Sequence, residues 1–426
     1  MRTTPATSEL NARIDAARDE EDALRLLRAA VAIPSVTGRE EDFARYVAEE
    51  LTGVCDEVAV DAFTAQRANV WARWGGSNDD AGKGLLFAGH LDTVRVTGWE
   101  EHWAGTSRQS PFGAAIVDGA VWGRGVGDLK AGITAVIAAL QVLRRAGLAP
   151  AAPVTILFVA DEESGEPDTG TSAGIRRALD PAGPEYRPLS ADLAVYVEPT
   201  KMQVFTSHMG FFITDITLLG KSAYFGTPER GVDALRAADE VLRALWAYND
   251  ELGTRAEDDL VGSPSLLVTG ISSGGYFAVP GECAINLIRK LTPAEDLDAA
   301  RAELDAVIRA AVSDERVQVS TAYPAGRDHP VGGTALVTDP GLEAVTRLRN
   351  VVGDILPGRD LIAGAPYWSE GPFLADHCGI PTVYCAPGDI SNCHTFDEHV
   401  EIQEFLAAVT VYARFIATHC GVRELR

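Results

Sequence analysis

Three short stretches of this chain are apolar almost throughout, and each stops at a carboxylate or a histidine: GLLFAGHLDTV (84–94), VTILFVADEES (154–164) and LAVYVEPT (193–200). A strand with one face in water alternates apolar and polar side chains. These do not, so both faces of each must be covered by other structure. Between the first two runs lies an Ala-rich apolar stretch, about 131–146, with the length and composition of a buried helix. Strands covered on both faces and separated by helices define an α/β core around a mainly parallel sheet. In open sheets of that kind, ligand-binding and catalytic groups gather beyond the C-terminal ends of the strands. The polar residues of all three runs fall on that edge.

The pattern changes near residue 210. A strand (211–219), an amphipathic helix (230–249), two strands (265–271 and 282–291), a helix (294–312) and a strand (316–323) follow one another. The order β-α-β-β-α-β is that of a ferredoxin-like α+β module. The apolar stripe of its first helix, Val232, Leu235, Val241, Leu242 and Leu245, is assigned to the module's own core. The α/β character returns after about residue 325, with a helix over 340–352 and the strand PTVYCAPG (381–388). The predicted organisation is therefore a first domain split in sequence, 1–209 and 326–426, with a second inserted at 210–325. Single cores stop growing at roughly 250–300 residues, and 426 exceeds that. Ahead of the first strand, about Glu9 to Ala32 reads as one acidic helix.

Charge narrows the partners. The chain has 37 Lys and Arg against 61 Asp and Glu, a formal charge of −24, and so acidic a surface repels phosphate backbones and anionic lipid heads. Nucleic acid and membrane surfaces are thereby set aside, and a small molecule is the expected partner. The opening MRTTPATSELNARIDAARDEEDALRLL has neither a basic leader nor an apolar segment behind it. No later apolar run is expected to approach the roughly 20 residues of a membrane span. Six cysteines without a C-x-x-C pair read as reduced thiols, and the expected location is the cytoplasm.

The candidate site residues are His90 and Asp92 at the end of the first run, and Asp128 in the Gly-rich turn GRGVGDLKAG. Glu162 and Glu163 end the second run, Glu198 ends the third, and His394 stands in SNCHTFDEH. Residues two apart on an extended chain face the same side, which lets His90 and Asp92 point into one site. Singly, each has a plain structural use, such as capping the next helix. Together on one sheet edge they form a crowd of buried like charges that requires a cation to neutralise it. Mixed nitrogen and oxygen donors suit zinc, with cobalt or manganese as alternatives.

The segments GHLDTV, SPFGAAIVDGAVWGRGVGDLKAGI, DEESGE, VEPT, GKSAYFGTPERGVDAL and CHTFDEHV occur in that order between residues 84 and 400. In this the chain resembles the co-catalytic zinc amidohydrolases and exopeptidases. That family includes acetylornithine deacetylase, succinyl-diaminopimelate desuccinylase, aminoacylase and glutamate carboxypeptidase. The resemblance implies a metallopeptidase-like catalytic domain with an inserted lid and dimerisation domain, and a homodimer formed through that lid. It implies that Asp128 bridges two divalent ions, one completed by His90 and Glu198, the other by Glu163 and His394. Asp92 would orient the His90 ring, and Glu162 would act as general base and then acid toward a water held between the ions. A cis peptide at Asp128–Leu129 is also implied. The activity implied is cleavage of the amide of an N-acyl amino acid or a related small carboxylate.

Several positions depart from the family. Tyr224 stands where relatives carry a histidine that stabilises the oxyanion of the partner subunit's reaction, and a phenol brings no positive charge at neutral pH. Phe277 and Leu287 replace a common Asn and Asp, and Glu370 replaces an Asp. Arg289 is retained as a candidate partner for a substrate carboxylate, and His208 is a candidate to compensate for Tyr224. The remaining histidines, His102, His329, His377, His399 and His419, read as structural or solvated. Two alternatives to hydrolysis stay open: a different reaction of a biosynthetic intermediate on the same ions, and a metal-containing protein that binds without turnover.

Overall fold

The computed structural model describes residues 7–64, 66–76, 84–163 and 170–425. It separates into two compact units: Met1–Thr206, Thr338–Ala363 and Phe373–Arg426 form one, Ser207–Val337 and Gly364–Pro372 the other. Along the chain the first unit contributes α1 (Glu20–Val31), α2 (Glu41–Thr52), β1 (Glu57–Thr64), β2 (Arg67–Trp74) and β3 (Leu85–His90). Next come α3 (Ala131–Arg145), β4 (Val154–Val159), β5 (Leu193–Tyr196) and β6 (Val204–His208), whose last two residues pass into the other unit. The inserted unit holds β7 (Gly210–Leu219), α4 (Ala234–Leu252), β8 (Ser265–Ser273), β9 (Glu282–Leu291), α5 (Leu297–Ala311) and β10 (Gln318–Ala322). The chain then supplies β11 (Thr382–Tyr384) and α6 (Ile402–His419) to the first unit.

The first unit is an α/β fold around a mixed sheet in the order β1-β2-β4-β3-β5-β11-β6. Its centre is parallel: β4 with β3, β3 with β5, and β5 with β11. These are the apolar runs, and β3, β4 and β5 are buried at every residue. The flanks are antiparallel, through β1 with β2, β2 with β4, and β11 with β6. The expectation of a mainly parallel sheet thus holds at the centre and fails at the edges. Edge strand β1 is half-exposed and lacks the unbroken apolar signature that marks the buried strands.

Helix α3 is buried almost all round and packs beside α6. With the turn before it, the stretch Val126–Arg145 reaches 20 residues and an apolarity sufficient to cross a membrane, against the expectation that no run would. Its window is 94% buried inside the unit, which is the condition of a core helix. The acidic N-terminal stretch is two helices rather than one. It breaks after Ala16, and Asp19 caps α1 by accepting from the Asp22 N–H.

The inserted unit has the expected β-α-β-β-α-β order, with an antiparallel sheet ordered β8-β9-β7-β10. Asp233 and Asp296 cap α4 and α5. Val232, Val241 and Leu245 enter the core with Ile285, Leu287 and Leu304, Leu242 packs at its margin, and Leu235 faces solvent. The unit's borders differ from 210–325. Gly332–Gly333 adds to β7 opposite Phe211 and Phe212, which keeps residues 326–337 in this unit. The 364–372 stretch belongs here too, because Trp368 packs on Phe211 and donates to the Thr334 carbonyl.

Candidate metal centre

The residues marked out at the strand ends come together in the first unit. His90 ends β3, Glu163 follows β4 by four residues, Glu198 follows β5 by two, and His394 follows β11. Asp128 comes from the turn that precedes α3. His90, Asp128, Glu163 and Glu198 are all at most 5% exposed. One oxygen of Asp128, Oδ1, lies 3.0 Å from His90 Nε2, and the same nitrogen is 3.6 Å from Glu198 Oε1. The other oxygen, Oδ2, lies 3.0 Å from His394 Nε2, itself 2.9 Å from Glu163 Oε1. The two sides meet, for donor atoms of His90, Asp128 and Glu163 all fall within 4.8 Å of one another. Asp128 therefore offers one oxygen to each of two His–Glu pairs.

Local chemistry explains how the chain holds these positions. Gly125 precedes Asp128 with φ +77°, and a Cβ there would meet the Thr93 methyl at 2.3 Å, so the turn requires glycine. The Asp128–Leu129 peptide is cis, as the resemblance implies. Lys130, buried behind it, donates to the Ala30 carbonyl at 3.1 Å near the end of α1 and lies 4.4 Å from the Phe43 ring. Burial pushes its ammonium down to about 7.

The turn after β4 is pinned by two carboxylates. Asp92 accepts from the Glu162 N–H at 3.1 Å and from the Glu163 N–H at 2.9 Å, and the Thr37 hydroxyl donates to it at 2.9 Å. The His90 ring meets Asp92 differently from the expectation. Its Nδ1 is 3.0 Å from the Asp92 backbone carbonyl, while the carboxylate stands off at 3.6 Å. The neighbouring Asp161, with φ +73°, accepts from the Gly170, Thr171 and Ala173 N–H groups and from Arg67. Glu40, buried and pushed up to about 8 by burial and by Asp92, completes this polar layer by accepting from the Gly38 N–H.

Protonation follows the crowding. Burial disfavours a charged His90, yet Glu198 and Asp128 raise it well above the ordinary imidazole value. Burial likewise opposes a charge on His394, but Asp128 and Glu163 raise it to about 11. Burial and the Asp128 charge lift Glu163 to about 7 against the pull of His394, whereas the two imidazoles hold Asp128 far below the usual carboxylate range despite its burial. Histidine protons thus fill the role of positive charge among three carboxylates. Two divalent cations would bring +4 against that −3, with two neutral imidazoles and three carboxylates as mixed N/O donors, so the residues fit a pair of metal ions.

The substrate-contact candidates fall in the inserted unit, and two need correction. Arg289 is 0% exposed on the helix-covered face of β9, with its guanidinium 2.5 Å from Glu295 and over the Tyr248 ring. Strand alternation puts it on the same face as Leu287, which is core rather than pocket lining. His208 is equally buried, with Nδ1 2.7 Å from the Met209 carbonyl and its ring against Trp368, and burial pushes it down to about 4. Neither is free to reach a ligand. Tyr224 is 63% exposed beside Phe225, whose ring in turn packs near the exposed Phe277. Thr37, Glu40, Arg67, Asp161, Arg124 and Glu398 were not anticipated. Asp161 and Glu398 lie inside the motifs DEES and CHTFDEHV, so proximity to a ligand was their signal, whereas Thr37, Glu40 and Arg67 carry no local mark.

A parallel sheet centre with paired nitrogen–oxygen donor sets at its C-terminal edge defines the class: an α/β metallohydrolase interrupted by an α+β unit. Residues 86–418 match the description "Peptidase family M20/M25/M40", and the chain belongs to that family of metal-dependent amide hydrolases. Solved structures share its fold. Aminopeptidase PepT from Bacillus cereus superposes with TM-score 0.70 at 19% identity, over 94% of this chain and 100% of that one. The di-peptidase Dug1p from Saccharomyces cerevisiae gives 0.71 at 15% identity, over 98% and 99%. The YXEP protein of Bacillus subtilis, described as a dinuclear metal-binding peptidase, gives 0.61 at 13%, over 94% and 98%.

Proposed function

We propose that this enzyme cleaves the amide bond of an N-acyl amino acid or a similar small carboxylate, as a deacylase or exopeptidase. The observation that carries this reading is the division of Asp128: its two oxygens face separate His–Glu pairs, as a carboxylate bridging two ions requires. His90 and Glu198 would hold one ion, and Glu163 and His394 the other. Zinc suits the donor set, with cobalt and manganese as alternatives. Bound there, two such ions lower the pKa of water and polarise a scissile carbonyl.

The chain's own residues do the rest. Glu162 is half-buried, and its backbone is tied to Asp92 so that ligand Glu163 and base Glu162 leave one fixed turn. Its carboxylate takes the proton of the attacking water and hands it to the leaving amine. Asp92 acts on that turn more than on the imidazole. Relatives named as an aminopeptidase and a di-peptidase support a small amide as substrate. A homodimer through the inserted unit is supported by the open edge of β8 and by exposed Leu235, Trp246, Leu267 and Ile271. Six unpaired cysteines support a cytoplasmic location.

Glu162→Gln tests the reading on a panel of N-acyl amino acids and dipeptides. Turnover falls about 10²–10⁴-fold while two ions per chain are retained. Unchanged turnover removes Glu162 from the mechanism. A second reading, metal-assisted chemistry other than hydrolysis or binding without turnover, is favoured by Tyr224 in place of an oxyanion-stabilising histidine. Two ions per chain with no cleavage of any panel member by the unaltered enzyme would select it.

A further inference from the structure

Glu398 lies four residues beyond His394 and is 1% exposed. Its Oε1 accepts from the backbone N–H groups of Gly127 and Asp128, at 3.1 and 3.3 Å. Its Oε2 takes Nη1 of Arg124 at 2.5 Å, and Nη2 of the same guanidinium donates to the Thr395 carbonyl at 3.2 Å. Backbone pairing reinforces the arrangement: the Gly123 N–H donates to the Glu398 carbonyl, and strand His399–Glu401 pairs with Ala120–Trp122.

Two loops 271 residues apart in sequence are thereby joined by one buried ion pair and two backbone N–H groups. A buried Arg–Glu pair is weak evidence for a stabilising role, since apolar side chains of similar volume often serve as well. Apolar side chains could not accept the Gly127 and Asp128 N–H groups, nor could they grip the carbonyl next to His394. The pair's polar atoms are directed at the two loops that carry ligands of the same centre.

We propose that Arg124 and Glu398 are positioning residues that set the distance between Asp128 and His394, and with it the affinity of the centre those two residues share. The two centres should depend on this clamp unequally. His90 ends a strand hydrogen-bonded on both sides, so its place is secured by the sheet. His394 has φ +60° and lies in a loop outside any strand, so its place depends on the Thr395 and Glu398 contacts. This inference rests on the two-ion reading above.

Stepwise cobalt titration of the metal-free enzyme, followed by visible absorption and calorimetry, tests it. The unaltered chain takes up two ions. Glu398→Gln keeps the side chain's size but turns N–H donors toward Arg124. It should bind the first ion as the unaltered chain does and the second 10–100-fold more weakly, the usual loss when a group behind a ligand is changed. Its metal-free melting temperature should fall, since Arg124 is left buried opposite a neutral amide. The split between the two steps is therefore what separates positioning from a purely structural role, which would weaken both steps alike. Equal affinity at both steps, or equal weakening of both, overturns the proposal. If Glu398→Gln does not fold, Arg124→Lys keeps the charge opposite Glu398 and loses the fork to Thr395. A few-fold loss confined to the second step supports the clamp, and no loss or an even loss overturns it. Fewer than two ions on the unaltered chain would instead remove the two-ion reading itself.

Discussion

Both units of this protein bury charged groups, and they do so in opposite ways. In the first unit, carboxylates converge: Asp128, Glu163 and Glu198 share two histidines, and burial is offset by raising those histidines far above their ordinary value. In the inserted unit charged and titratable groups are settled one by one. Arg289 has Glu295, Asp305 accepts from Thr321 and Tyr323, and His208 is pushed down into its neutral form. Burial of charge alone is thus no sign of a site. Convergence of like charges is, because two histidine protons leave the three carboxylates in excess, and a pair of divalent ions would offset them in full.

The largest expected effect comes from breaking that convergence at its centre. Asp128→Asn leaves one anionic donor fewer for both ions. Metal analysis should find both lost, and amide turnover should fall about 10³–10⁴-fold, the several kcal/mol that metal ions contribute to such transition states. Two ions retained by Asp128→Asn would show that the pairs on either side of Asp128 act without it.

The same contrast explains what could be read from the sequence. Of the proposed metal ligands, His90, Glu163 and Glu198 were marked by standing at or just beyond the ends of apolar strands on one sheet edge, whereas Asp128 and His394 lie in loops and were marked by the motifs around them. The β-α-β-β-α-β module was legible from amphipathic period alone. Arg289 was misread because its segment was judged by similarity of motif, whereas strand alternation places it with Cys283, Ile285 and Leu287 on the covered face. Thr37, Glu40 and Arg67 were invisible because they reach the site through tertiary contacts, with Asp92, Asp161 and the Glu163 carbonyl. The antiparallel flank β1–β2 was missed because half-exposed edge strands carry mixed patterns.

A change at Arg289 separates the two regions. Arg289→Ala removes one member of a buried pair and leaves Glu295 without it. The inserted unit should lose about 3 kcal/mol on denaturant unfolding. Metal content of the first unit and the KM of the panel substrates should stay as they were. A rise in KM with unchanged stability would return Arg289 to the role of substrate anchor.

The smallest effect is a slope rather than a loss. Burial holds folded His208 at about 4, while an unfolded imidazole titrates near 6.5. Between those values the unfolded chain binds a proton that the folded unit does not, so this histidine's contribution is complete above about pH 6.5 and declines as pH falls toward 4. The loss across that window is on the order of 2–3 kcal/mol. Chemical unfolding of the inserted unit at a series of pH values should show it, and His208→Gln should flatten the curve there, since an amide can still donate to the Met209 carbonyl but has no proton to take up. Were the slope unchanged in His208→Gln, the acid sensitivity would belong to other groups. The histidine would then be charged inside the fold, and the contrast with the metal-side histidines would fail at the one residue that states it most sharply.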